Sequence, residues 1–127
     1  MSSLLSSEWL KPDGFATLPV MESSHHRRPD SNEAIGERLE LLRRAYGVVQ
    51  GYKREMSQSE FARQCEIGIQ AWHNVESGNS RIGLNNAMRV RARTGASLDY
   101  IYFGNRTGLP HVIAVAIAEI EKTAKRA

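Results

Sequence analysis

The stretch from Ser57 to Gly78 constrains this chain more than any other. Ser57 is followed three residues later by Glu60, a pairing whose hydroxyl and carboxylate can satisfy the orphan backbone donors at a helix start. Phe61, Ala62 and Cys65 then recur at helical spacing on one face. The segment Glu66-Ile67-Gly68 interrupts that run, and Gly68 is the residue free to take backbone angles that others resist. Trp72 and Val75 form the apolar side of a second short helix that Gly78 can end. Ile69, Gln70, His73 and Asn74 are left pointing outward together. Two amide side chains on one exposed helical face match what a helix needs to read base edges in a major groove. The stretch therefore predicts two short helices joined by a tight turn, the second amphipathic.

On these residues the chain resembles the lambda-repressor/Cro-type helix-turn-helix family, also called xenobiotic-response-element-like. The family pattern is Ser-Gln-x-Glu-apolar-Ala, a turn, and a helix ending in apolar-Glu-x-Gly. Ser57-Gln58-Ser59-Glu60-Phe61-Ala62 and Val75-Glu76-Ser77-Gly78 match both ends. Ile35-Gly36-Glu37-Arg38-Leu39 is similar to the family's first helix, and Gly95 through Gly104 to the end of its domain. Two departures stand out. The family places glycine where Glu66 stands and a serine or threonine cap where Gly68 stands, which predicts a less regular turn and a weaker cap. Eight residues, Val48 through Glu55, also intervene where the family has a short connection. They are open to two readings, a longer first helix or a protruding loop bearing Tyr52, Lys53 and Arg54.

The resemblance implies an all-α fold: a compact five-helix lambda-repressor-like domain over residues 31–105, with the 48–55 insertion. An extra C-terminal helix lies within 106–127, and residues 1–30 form a mobile N-terminal tail. The residues themselves agree on the elements. Asp30 and Glu33 are expected to cap a first helix in which Ile35, Leu39, Leu42 and Tyr46 repeat at helical intervals. Leu84, Ala87, Met88 and Val90–Ala92 mark a fourth helix closed by Thr94-Gly95, and Ser97 caps a fifth with Leu98, Ile101 and Tyr102 turned inward. In the tail, Trp9, Leu10, Phe15, Leu18 and Val20 are too sparse for a core. His25-His26-Arg27-Arg28 is not expected to hold a metal, because two adjacent histidines cannot complete a metal sphere, and it reads as an ordinary solvated linker in preference to a flexible basic arm touching DNA phosphate. After Pro110, the residues Val112, Ile113, Ala116, Ile117 and Ile120 make a wide apolar face with two readings, packing on its own domain or a dimer seam.

Carried over residue by residue, the family's second motif helix implies base reading by Ile69, Gln70, His73 and Asn74. Gln70 and Asn74 would pair with adenine and Ile69 would touch a thymine methyl. Gln58, Ser77, Asn79 and Arg81 stand where the family contacts phosphate. Trp72 stands at an apolar position of the family and reads as core. Arg43 and Glu76 stand where the family pairs an arginine of the first helix with the motif glutamate, implying a partly buried ion pair that sets geometry.

Bulk properties narrow the function classes. The chain has 127 residues and a formal net charge of +3, enough for one small domain and compatible with a polyanionic partner. Arg89, Arg91 and Arg93 are the densest basic group, read equally as a solvated face or as phosphate contacts. The one cysteine, Cys65, rules out an internal disulfide and fits a reducing cytoplasm. No signal peptide or apolar run of bilayer length is evident, so no membrane partner is expected. No glycine-rich phosphate loop, metal-ligand cluster or nucleophile elbow appears, so neither an enzyme nor a cofactor or metal is expected. Too little chain follows Gly104 for a self-cleaving peptidase domain.

The expectation is a cytoplasmic, nucleoid-associated regulator of bacterial or phage type, a repressor acting as a homodimer on a two-fold double-stranded DNA operator. The alternative is an antitoxin-type protein that neutralises a partner toxin through the tail or the insertion and autoregulates its operon.

Overall fold

In the computed structural model, which describes residues 28–126, helices are the only regular elements among the described residues. They are α1 (Asn32–Val49), α2 (Gln58–Cys65), α3 (Ile69–Glu76), α4 (Leu84–Thr94), α5 (Leu98–Phe103), a 3-10 turn (Arg106–Gly108) and α6 (His111–Arg126). The longest, α1, is the axis of the bundle and packs against α3, α5 and α6. Ile35, Leu39, Leu42 and Tyr46 are all buried along it, as their spacing predicts. Tyr46, Phe61 and Trp72 stack in series, with ring centroids 5.7 and 5.0 Å apart, and join α1, α2 and α3.

The helix starts follow side-chain chemistry. Ser57 and Glu60 form the expected reciprocal box at α2, and Ser97 caps α5 by accepting from the Tyr100 N–H. At α1 the expected Asp30 cap is replaced by Ser31, whose hydroxyl accepts from the Ala34 N–H. Asp30 is instead held by a bidentate bond from Arg28. The Pro29 and Asp30 carbonyls accept from Arg38 and Arg81, so the domain begins a few residues before 31. The rest of the expected tail, with Trp9, Leu10, Phe15, Leu18, Val20 and the two histidines, lies outside the described residues.

The 48–55 stretch resolves into both of its readings. Val48 and Val49 extend α1, and a loop then turns back through Gly51 at φ +88°. That loop is pinned rather than free. Tyr52 N–H donates to Gly47 O at 2.9 Å, the Arg54 guanidinium stands over the Tyr52 ring, and Met56 is fully buried. Arg54 also makes a bidentate bond to Glu60 at 3.0 and 3.1 Å. That bond, followed by the Ser57 N–H bond, holds the Glu60 carboxyl at about 2, below its ordinary 4.5. A carboxylate depressed in the fold contributes stability above its unfolded value and loses it as pH falls through the folded one. Stability is therefore expected to drop between pH 4.5 and about 2, with part of the drop absent in Glu60→Gln. Denaturant midpoints across that window check this, and parallel curves for the two proteins would refute it.

The C-terminal helix divides the expected seam in two. Ile113, Ala116 and Ile117 are buried in the protomer's own core against α1, so these three are not available to a second copy. Val112 and Val115, one helical step around the axis, stay exposed at 56% and 48%. Ile120 is half-buried. Near the same helix, Arg106 binds Glu121 at 2.6 and 2.9 Å. In α5, Tyr100 is fully buried along with Ile101, while Leu98 and Tyr102 are only half-buried. On α4, Ala87 and Val90 enter the core, whereas Leu84 and Met88 face outward.

Candidate nucleic-acid interface

The turn between α2 and α3 is built differently from the glycine-based expectation. Glu66 carries the left-handed conformation, at φ 61° and ψ 40°, and closes α2 with its N–H on the Ala62 and Arg63 carbonyls. Gly68 is extended, at φ −60° and ψ 140°, so its missing Cβ is not what the turn requires. The strained position thus falls where the family has its glycine, and a non-glycine residue occupies it. Ile67 is driven into the core and pins the turn. Arg89 Nη1 donates to Glu66 O at 3.0 Å and Arg93 Nε to Gln64 O at 3.1 Å. Both arginines remain exposed and each spends a donor on these carbonyls. They brace the C-terminus of α2, where unsatisfied carbonyls and the helix dipole favour cations.

At α3, Trp72 and Val75 are buried and anchor the inner face. Glu76 ends the helix with its carboxylate inside. Its Oε1 accepts from Arg43 Nε at 3.0 Å and from Trp72 Nε1 at 2.7 Å, and its Oε2 from Arg43 Nη2 at 2.7 Å. Arg43 also donates to Met56 O at 2.6 Å and to Glu55 at 2.9 Å. Burial alone would lower the Arg43 guanidinium, but the bonds to Glu76 and Glu55 outweigh it and hold it above the ordinary arginine value. Both side chains of the pair are only 6% exposed. Gly36 lets α1 come against the same end, because a Cβ there would lie 2.5 Å from Glu76 O. The expected Arg43–Glu76 pair is present, then, with three further partners that spacing alone does not reveal: the Trp72 indole, the Met56 carbonyl and Glu55.

The outer face follows from this anchoring. Ile69 is 51% exposed, Gln70 and His73 are exposed, and Asn74 is half-buried. Gln70 Nε2 reaches Asn74 Oδ1 at 3.5 Å, a loose contact that leaves both amides near each other on the surface. Beyond the helix, Ser77 Oγ and the Asn79 and Ser80 N–H groups all donate to Asn74 O. Gln58 sits at the first position of α2, half-buried. Exposed Arg81 donates to Asp30 O at 2.5 Å, which ties the loop after α3 to the start of α1. The start of α3 carries no side-chain cap, so its leading N–H groups have no side-chain acceptor.

Between Ile67 and Leu98 the sequence contains one acid, Glu76, and it is buried and paired. Arg81, Arg89, Arg91 and Arg93 fall in the same span. Among the described residues no group of three or more His, Cys, Asp or Glu side chains could hold a metal ion, and no helix is long and apolar enough to cross a membrane. Cys65 is buried, and burial pushes its thiol up to about 12, which suits a packing group better than a nucleophile.

No protein-family model matches this chain, and no curated protein or solved structure matches it.

Proposed function

We propose that this chain is a sequence-specific double-stranded DNA-binding regulator of the lambda-repressor/Cro type, acting as a repressor. One observation carries the reading. An exposed, acid-free helix face with Ile69, Gln70, His73 and Asn74 stands on a rigid base in which Trp72, Glu76 and Arg43 lock the inner side. Base readers must be held in place by packing if their hydrogen bonds are to discriminate. In the proposed complex α3 enters the major groove. Gln70 and Asn74 each offer a donor and an acceptor to adenine, and Ile69 meets a thymine methyl. His73 faces base or phosphate. Gln58, the uncapped start of α3, Ser77, Asn79 and Arg81 take phosphates, which fix register without reading sequence.

A single small domain makes few base contacts, so a homodimer on a two-fold site is part of the proposal, with half-sites about 10 base pairs apart. The surface that supports it is not the face buried in the core. It is a groove of about 350 Å³ between the end of α1 and α6, walled by Val48, Val49, Val112 and Val115 with Ile120 beside them. Arg44 and Glu119 stand on its rim, an arrangement that a two-fold axis can pair with itself. No comparable observation favours the antitoxin-type alternative, and the 48–55 stretch folds back onto α1 and α2.

Fragments selected from genomic DNA would supply the operator. On single-base variants of it, Gln70→Ala is expected to cost about 1–3 kcal/mol at one base pair and to relax preference there. Gln58→Ala should weaken binding evenly across all variants. An even loss for Gln70→Ala would remove it from the readers, and no selected sequence at all would overturn the proposal.

A further inference from the structure

We propose that the cleft bounded by the start of α1, by α5 and by α6 is a binding site for the anionic group of a small molecule, a carboxylate or a phosphate. The cleft holds about 440 Å³ and lies apart from the outer face of α3. Its size is in the range that small-molecule sites occupy. The proposal stands on this cleft alone and does not depend on DNA binding.

Two donors, the Tyr100 hydroxyl and the Arg38 guanidinium, converge there, in a lining that also holds the Glu37 and Glu121 carboxylates. Tyr100 is fully buried, and its hydroxyl is the one buried side-chain polar atom among the described residues that lacks a hydrogen-bond partner. Native proteins rarely keep such a group unpaired unless something outside the chain serves it. Beside it, Arg38 donates through Nε to Ile101 O at 3.0 Å and through Nη2 to Pro29 O. Both of those partners are carbonyl oxygens rather than carboxylates. Nη1 of Arg38 points along Gly104, where a Cβ would stand 3.3 Å away, so the absent side chain leaves that approach open. Burial lowers the Arg38 guanidinium below its ordinary value and raises the Tyr100 phenol above its own. The cleft therefore holds a desolvated cation next to a phenol that stays protonated, and both would gain from a negatively charged acceptor.

The lining as a whole is mixed in charge, with the carboxylates Glu37 and Glu121 against the three guanidiniums of Arg28, Arg38 and Arg106. Arg28 and Arg106 add positive charge, each already fixed by a carboxylate, Asp30 and Glu121 respectively. They shape the field of the site while leaving the first contacts to Arg38 and Tyr100. Leu41 and Ala34 offer an apolar side for the body of the ligand.

Thermal melts of the full chain, in chloride at matched ionic strength, test this with inorganic phosphate in one arm and succinate in the other. A ligand that binds only the folded state raises the melting temperature in a saturable way. At least one of the two anions is expected to do so for the wild type, and which one does identifies the anionic group. Tyr100→Phe removes a hydroxyl with no partner, so without anion it should melt at or above the wild type. Its affinity for the anion should fall by at least about tenfold, the loss expected for a hydrogen bond to a charged group. Arg38→Gln should lose the saturable shift as well. The proposal is overturned if neither anion shifts the wild type beyond chloride, or if Tyr100→Phe responds as the wild type does.

Discussion

Arg43→Ala is expected to lower the stability of the domain by about 3–5 kcal/mol, the cost of leaving a buried charge without its partner. The geometry explains why the loss lies well above what a surface pair could give. Glu76 would keep one bond, from the Trp72 indole, while losing two from the guanidinium. The Met56 carbonyl would lose its donor as well. A double change to Arg43→Met with Glu76→Gln should recover most of the loss, because it removes both charges and keeps an amide oxygen for the indole N–H. Methionine at both positions should recover less, since the Trp72 N–H would then be orphaned. Urea denaturation of the single and double variants decides it. Additive losses in the double variant would mean that the two groups act independently, contrary to the bidentate contact.

Ile117→Glu is expected to abolish folding, because a carboxylate would enter a fully buried position within the apolar core cluster. Ile117→Ala should cost about 2–5 kcal/mol through the cavity it leaves. Val115→Glu, on the exposed side of the same helix, should change stability by no more than about 0.5 kcal/mol. If the groove between α1 and α6 is the seam, that same substitution should dissociate the homodimer and weaken operator binding. Circular dichroism separates the folding effect and sedimentation the assembly effect. A folded Ile117→Glu would contradict the packing of α6 on its own domain. A wild type that stays monomeric on DNA would remove the dimer from the proposal.

Much of the architecture is legible in the amino-acid sequence. Helix periodicity placed Ile35, Leu39, Leu42, Tyr46, Phe61, Ala62, Cys65, Trp72 and Val75 in the core, where all of them lie. The reason is that burial of an amphipathic face is periodic in the chain itself. The cap at Ser57 and the one at Ser97 were readable for the same kind of reason, since both partners sit within three residues. The exposed group on α3 followed once its inner face was known.

What tertiary structure alone decided involves partners distant in sequence or choices between equivalent positions. Ser31 rather than Asp30 caps α1 because Arg28 holds Asp30 aside. Glu66 rather than Gly68 takes the left-handed angles because the pinning of Ile67 sets where the chain must reverse. Arg89 and Arg93 turn to carbonyls 23 and 29 residues away, which no local pattern announces. The face of α6 was wide enough for either of its two readings, and only its rotation against α1 assigned Ile113, Ala116 and Ile117 inward and Val112 and Val115 outward. Sequence determined which residues are apolar and at what period. The rotation of one helix against another, set by side chains far apart in the chain, determined which of those residues were left on the surface.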